Sequence, residues 1–222
     1  MTLAAAGRSV DAMKIAVLGS GTVGEVLADG FRKHGHDVVR GSRDPSKLAA
    51  WAQQSGGRTA TFADASADAD VVVLAVKGSA AGEALGLAGD LTGKVIIDAT
   101  NPIADAPPQD GVLRFFTNLD ESLMERLQAQ VPGARFVKAF SCVGNAFMVN
   151  PSLPGGPPTM FICGNDADAK AVVRSILDQF GWDTADMGTA TAARAIEPLC
   201  MLWCIPGLRG SGWSHAFKLL RG

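Results

Sequence analysis

The spacing Gly19-x-Gly21-x-x-Gly24 is the feature of this chain with the clearest chemistry in it. Glycines at that interval let main chain, rather than side chains, meet a ligand. The first permits a tight turn, the second lets backbone approach a pair of phosphates, and the third lets a helix pack close to a strand. N–H groups in the first turn of that helix lack partners and carry partial positive charge, so a pyrophosphate fits there. The pattern alone is weak in a chain with 26 glycines. Its setting gives it weight, because Lys14-Ile15-Ala16-Val17-Leu18 reads as a buried strand before it and a helical pattern follows to about Lys33. The ligand class implied is a dinucleotide, with Gly19, Ser20, Gly21, Thr22, Val23 and Gly24 as its phosphate loop.

About 20 residues further on, a site for NAD usually carries Asp or Glu at the end of the second strand, bonded to the ribose. This chain has Gly41-Ser42-Arg43 there. Arg43 can pair with a 2′-phosphate through its planar fork, Ser42 can donate a hydroxyl bond, and Lys47 adds a second cation one turn on. Asp44 is a neighbouring acid that complicates the pattern. NADP(H) is therefore predicted over NAD(H). Ala75, Val76, Asn101 and Pro102, at the ends of later strands, are expected to complete the cofactor contacts.

Acid–base chemistry is thinly supplied. The chain has no tyrosine, which excludes the Tyr/Lys catalysis of short-chain dehydrogenases. Of three histidines, His34 and His36 fall at the sheet edge away from the glycine loop and read as surface residues, and His215 lies in the C-terminal tail. Lys138 is followed four residues later by Cys142, so the Lys-x-x-x-Asn pair of β-hydroxyacid dehydrogenases is absent. Hydride transfer to a redox ring can rely on positioning, with protons drawn from solvent or cofactor. The sequence thus leans towards transfer between cofactors. Asn101, Ser141 and Cys142 are the candidate catalytic residues, with Asp98 and Lys138 as further donors. Cys142 reads either as a reactive thiol or, the reading preferred, as a packed loop residue. Cys142, Cys163, Cys200 and Cys204 form no CxxC pair and no metal-ligand spacing, so they are expected in the core and no metal is expected.

The elements that must position these residues follow from hydrophobic runs. Asp37–Arg40, Val71–Val76, Lys94–Asp98 and Arg135–Ala139 read as strands, with helices from Pro45 to Gln54, around 79–90 and over Glu121–Gln130. This alternation implies βαβ units and an α/β, Rossmann-type, doubly wound and mostly parallel sheet. Beyond two Pro-rich loops, after Pro102 and over Asn150–Pro158, lie extra C-terminal elements: strands at Thr159–Cys163 and Trp182–Ala185, and helices at Asp166–Phe180 and Ala192–Trp203. Residues 1–12 read as a flexible extension, and 13–222 as a single NADP-binding domain. A formal net charge of −2 gives no basic field for nucleic acid or an anionic membrane. No run reaches the roughly 18 apolar residues of a membrane helix, and no signal peptide is evident, so a cytoplasmic location is expected.

These residues resemble the NADPH-dependent reductases of the deazaflavin coenzyme F420. The likeness runs through Met13–Gly24, Gly41-Ser42-Arg43, Asp98-Ala99-Thr100-Asn101-Pro102, Val137-Lys138-Ala139-Phe140, Phe161–Asp166 and Ala193–Pro198. It spans residues 13 to about 220. The cytoplasmic domains of six-transmembrane metalloreductases look similar too. The resemblance implies NADPH on the glycine loop, with coenzyme F420 or a flavin as a small-molecule acceptor stacked on the nicotinamide. It places the acceptor lining after Phe140 and around Thr189–Arg194, and it implies a homodimer, which the apolar stretch Leu199–Leu208 would suit. Relatives carry Asn-Thr where this chain has Ser141-Cys142. Two other readings stand beside hydride transfer to a flavin-type ring: an NADPH-binding sensor or partner protein without turnover, and a reductase of a small imine or carbonyl.

Overall fold

The chain is described here from a computed structural model covering residues 12–222. The extension expected over 1–12 lies, apart from Ala12, outside the described residues.

The apolar runs become strands buried on both faces. In chain order the elements begin β1 (Lys14–Leu18), α1 (Thr22–Lys33), β2 (Asp37–Gly41), α2 (Ala49–Ser55), β3 (Arg58–Ala60), α3 (Phe62–Ala67), β4 (Val71–Leu74) and α4 (Ala81–Gly86). They continue β5 (Val95–Asp98), α5 (Leu123–Gln130), β6 (Arg135–Lys138), β7 (Thr159–Ile162), α6 (Ala167–Gln179), β8 (Asp183–Asp186), α7 (Ala193–Ile196) and α8 (Pro198–Leu208). Among the described residues, six strands form one parallel sheet in the order β3-β2-β1-β4-β5-β6, and β7 and β8 pair separately. The order reverses between β1 and β4. At such a switch point the loops leaving the two strands diverge, and a crevice opens at their carboxyl ends.

Alternate residues of each strand feed two cores. Ile15, Val17, Val71 and Val73 pack with Leu27 and Phe31 of α1 and with Val173, Ile176 and Leu177 of α6. Ala16, Leu18, Val72 and Leu74 pack on the other face with Phe62, Leu85, Met124 and Leu127. Each fully buried Leu, Ile or Phe side chain contributes about 1.5–3 kcal/mol relative to exposure, so both helical layers are fixed by the strand pattern. Local signals set the helix starts. Asp166 caps α6 by accepting from the Ala169 N–H at 2.7 Å, and Ser122 and Glu125 form a reciprocal capping box on α5.

Several boundaries differ from those expected. The run Val71–Val76 leaves the sheet after Leu74, so that Ala75 and Val76 line the crevice instead. β3 and α3 come from a stretch that carries no periodic signal. The single helix expected over Ala192–Trp203 is two, divided at Glu197-Pro198, because Pro198 lacks the N–H a continuous helix needs. His36 is not a surface residue. It is 6% exposed, accepts from the Met13 N–H through Nδ1 and bonds Gln179 Oε1 through Nε2 at 2.9 Å.

Candidate functional site

The glycine loop sits where β1 meets the switch point. Gly19 has φ +148°, and a Cβ there would lie 2.2 Å from the Ala75 carbonyl oxygen, so only glycine allows the loop to pass β4. A Cβ on Gly24 would stand 2.7 Å from the Gly19 oxygen, which is why α1 can start this close to the strand. At Gly21 the same added atom meets nothing within 4 Å. That residue borders a cleft of about 320 Å³ lined also by Gly19, Ser20, Ser42, Arg43 and Lys47. Gly21 is the N-cap of α1, and no side chain caps that helix. Its first N–H groups are therefore free for an anion.

Ser42 is buried at the end of β2, and its Oγ accepts from the Asp44 N–H at 3.2 Å. Asp44 is turned to its own side, with Oδ1 accepting from the backbone N–H and hydroxyl of Ser46. The sequence-level complication from this acid is thus a local cap. Arg43 is exposed, and its Nη1 lies 2.9 Å and 3.1 Å from the two carboxylate oxygens of Glu83 in α4. Both side chains are more than half exposed, so this pair is worth roughly 0–1 kcal/mol and yields readily to a better anion. Sequence reasoning missed Glu83, Phe62 and Lys77. Lys77 follows β4 and borders both this cleft and the next, a position the switch-point rule covers.

A second cleft, of about 290 Å³, continues past Val76 and Lys77 to Thr100, Asn101 and Asp105. Asn101 faces it and donates from Nδ2 to the Ser141 carbonyl at 2.8 Å. Pro102 is buried behind, its carbonyl accepting from the Phe116 N–H. Ser141 and Cys142 lie deeper, 2% and 3% exposed. Burial pushes the Cys142 thiol up to about 11, so it is not a thiolate at neutral pH. Asn101 Oδ1 and Ser141 Oγ are buried with no partner among the described residues. Phe140, which opens this loop, is a buried aromatic held at φ +63°, a conformation that costs a non-glycine residue energy and is kept by its surroundings.

Behind the wall lies a charge cluster that removes the other two donor candidates from reach. Lys138 Nζ lies 2.9 Å from Asp98 Oδ2, 2.9 Å from Glu197 Oε1 and 2.7 Å from the Thr100 carbonyl, and all three side chains are buried. Burial pulls the ammonium pKa down, but the two carboxylates outweigh it and hold the group above its ordinary value. Asp98 Oδ1 accepts from the N–H and hydroxyl of Thr100, and Glu197 accepts from the N–H groups of Leu123 and Met124 at the start of α5. Every carboxylate oxygen is matched. The cluster ties β5, β6, α5 and the α7–α8 junction together and holds the Asn101 loop from behind.

On the surface of that junction, Arg194 pairs with Glu125 through three contacts of 2.7–3.2 Å. The guanidinium, followed by Ser122, holds the Glu125 carboxyl at about 2, against an ordinary 4.5. A depressed acid stabilises the fold above its unfolded value and loses that contribution as pH falls towards its folded one. We expect Glu125→Gln to flatten the loss of stability between pH 4.5 and 2, read as denaturant midpoints across that range. Parallel curves for variant and parent would show that the pair does not drive this acid limb.

Among the described residues, no helix is long and apolar enough to cross a membrane, and no cluster of His, Cys, Asp and Glu could hold a metal. Residues 14–102 match the family described as NADP oxidoreductase, coenzyme F420-dependent. A proposed F420-dependent NADP-reductase from Arthrobacter sp. FB24 is 34% identical, with a TM-score of 0.88, covering 94% of this chain and all of that one. Rat metalloreductase STEAP3 is 29% identical over 206 residues, which is 91% of this chain and 40% of that protein. The chain thus spans about two fifths of the length of the curated relatives it matches. A reductive aminase from Aspergillus terreus in complex with NADPH, 20% identical with a TM-score of 0.63 over 90% of this chain and 63% of its own, shares the fold. With the glycine-loop cleft at the switch point and a relative matched along its whole length, the chain belongs to the coenzyme F420-dependent NADP oxidoreductase family.

Proposed function

We propose that this protein passes hydride between NADPH and a deazaflavin or flavin-type ring. The observation that carries the reading is the two-part cleft: an anion-binding end at the α1 N-terminus and Arg43, and a far end without histidine or tyrosine in its lining. The residues fit the dinucleotide, since the uncapped helix start, Gly21 and the cations Arg43 and Lys47 border the first cleft, and Lys77 and Val76 line both it and the second. In that fit the 2′-phosphate lies against Ser42, Arg43 and Lys47, the pyrophosphate against Ser20 to Gly24, and the nicotinamide between Ala75, Val76 and Asn101, with Pro102 buried behind the last. When bound, NADPH supplies a hydride, two electrons and one proton, to the acceptor, and the acceptor takes its second proton from solvent. The chain's part is to hold the two rings together and to keep water out. Asp98, Lys138 and Glu197 are sealed in their own cluster and Cys142 is buried, so none of them moves a proton in this scheme.

Stopped-flow absorbance of NADPH mixed with coenzyme F420, FMN or FAD tests it, and oxidation by at least one is expected. Tight NADPH binding with no oxidation by any of the three would leave an NADPH-binding protein without turnover. On the choice of nucleotide, Arg43→Ala removes one charge-assisted contact worth about 1.5–3 kcal/mol. NADPH affinity should fall roughly 10- to 150-fold while NADH changes by less than about threefold. Equal losses in calorimetry would show that Arg43 does not read the 2′-phosphate.

We also propose a homodimer in a reducing, cytoplasmic setting. α8 is apolar on every face yet leaves Leu202 55% and Leu208 40% exposed, and all four cysteines are free. Light scattering that reports a monomer would reject the pairing.

A further inference from the structure

Arg40 is a charged side chain in a strand position that the sheet buries. It is 1% exposed, between Val39 and Gly41 of β2, and it reaches under the glycine loop. Its Nη2 donates to the Gly19 carbonyl at 3.2 Å and to the Gly21 carbonyl at 3.3 Å. The guanidinium lies 4.8 Å over the ring of Trp51, whose indole N–H is itself held by Asp29 at 2.8 Å. Its nearest carboxylate, Glu25, is 3.7 Å away and half exposed, and Arg40 Nε has no partner among the described residues. Burial lowers its pKa, with Glu25 and Asp29 opposing, yet an arginine remains charged.

A buried cation so incompletely matched is costly, and it persists where something else uses it. The peptides it touches are the ones that face the cleft. Among the described residues every peptide bond is trans, so a carbonyl and the N–H of the same peptide point opposite ways. Pinning the Gly19 oxygen inward turns the Ser20 N–H outward. The Gly21 oxygen also accepts from the Glu25 N–H at 3.1 Å, so it is held by α1 and Arg40 together, which does the same for Thr22. We propose that Arg40 is a positioning residue for the pyrophosphate: from beneath the loop it aims the Ser20 and Thr22 amides at the dinucleotide and sets a positive charge behind them. It acts on both phosphates without touching either, and it has no part in reading the 2′-phosphate. This rests on the dinucleotide reading of the cleft.

The test compares Arg40→Met and Arg40→Lys with the parent, measuring NADPH affinity by calorimetry and that of adenosine 2′-monophosphate by phosphorus NMR titration. The second probe keeps the adenosine and 2′-phosphate but lacks the pyrophosphate. Met fills the space against Trp51 and strands no buried acid, because Glu25 is half exposed. Arg40→Met should weaken NADPH about tenfold or more, with the monophosphate within about twofold, since several amide contacts shift together. Lysine keeps the charge but has a compact head without the rigid planar fork, so it holds the two carbonyls less firmly, and Arg40→Lys should fall between, at about three- to fivefold. In the parent–NADP+ complex the pyrophosphate resonances, and not the 2′-phosphate resonance, should move on substitution. Equal weakening of both probes, or of neither, in either variant overturns the proposal. If Arg40→Met is not recovered folded, Arg40→Lys decides on the same criterion. A parent protein that binds no NADPH would overturn the cleft reading instead, and this inference with it.

Discussion

Replacing Lys138 with Met is expected to cost the folded state about 3–5 kcal/mol, the usual consequence of removing one partner from a buried ionic cluster. Two carboxylates, Asp98 and Glu197, would then face each other with no exposed surface between them. Both keep backbone donors, Asp98 from Thr100 and Glu197 from the α5 start, so the fold survives at reduced stability. The deficit should depend on pH in a defined direction. Without the ammonium, two buried negative charges repel each other with nothing between them, so taking up a proton stabilises the folded variant. The loss is therefore largest at pH 8 and shrinks as pH falls towards about 5, near ordinary carboxyl values. Denaturant midpoints at the two pH values measure it. A deficit under about 1 kcal/mol, or one that does not change with pH, would mean that the cluster tolerates an uncompensated charge. Because Lys138 also holds the Thr100 carbonyl, the Asn101 loop should loosen too, and hydride transfer should slow even where the variant is fully folded.

That cluster shows where sequence reading stops. β1, its glycine loop and α1 were legible because three independent regularities coincide there: an all-apolar run, fixed glycine spacing and a 3.6-residue period. Arg43 was legible by counting from the loop. Its partner Glu83 was not, because the pair is made 40 residues apart, between the segment that follows β2 and α4, both of which border the cleft. Asp98 and Lys138 read as available donors, and only Glu197, 59 residues beyond Lys138, reveals them as a sealed structural unit. His36 read as surface for the same reason, its Gln179 partner being 143 residues away. β3 and α3 escaped notice because a three-residue strand and a six-residue helix are too short to show a period. They are held by neighbours, Arg58 to Ala60 pairing with Val39 to Gly41 and Phe62 filling the floor of the cofactor cleft. Local elements with strong patterns were thus readable, whereas buried polar residues, whose meaning lies in a distant partner, were not.

Two glycine substitutions in the loop should part company, and the contrast locates the pyrophosphate. Gly19→Ala puts a Cβ 2.2 Å from the Ala75 oxygen at a φ that alanine rarely adopts. The strain alone is about 1–3 kcal/mol, and relief requires the loop to move away from β4. Displacing it misaligns at least two amide contacts to phosphate, each worth roughly 1.5–3 kcal/mol, so NADPH affinity should drop by about two orders of magnitude or more. Stability and binding fall together. Gly21→Ala adds the same methyl where the protein has nothing within 4 Å, at an ordinary φ of −82°. Its fold should be unharmed or steadier by about 0.4–1 kcal/mol, because alanine restricts the unfolded chain. Yet the methyl would stand in the space assigned to the pyrophosphate, so its NADPH affinity should fall as steeply as that of Gly19→Ala. Thermal melting with and without NADPH separates the two. If Gly21→Ala melts like the parent and still gains the full nucleotide-induced shift, the phosphates lie elsewhere, and the open side of Gly21 is only solvent.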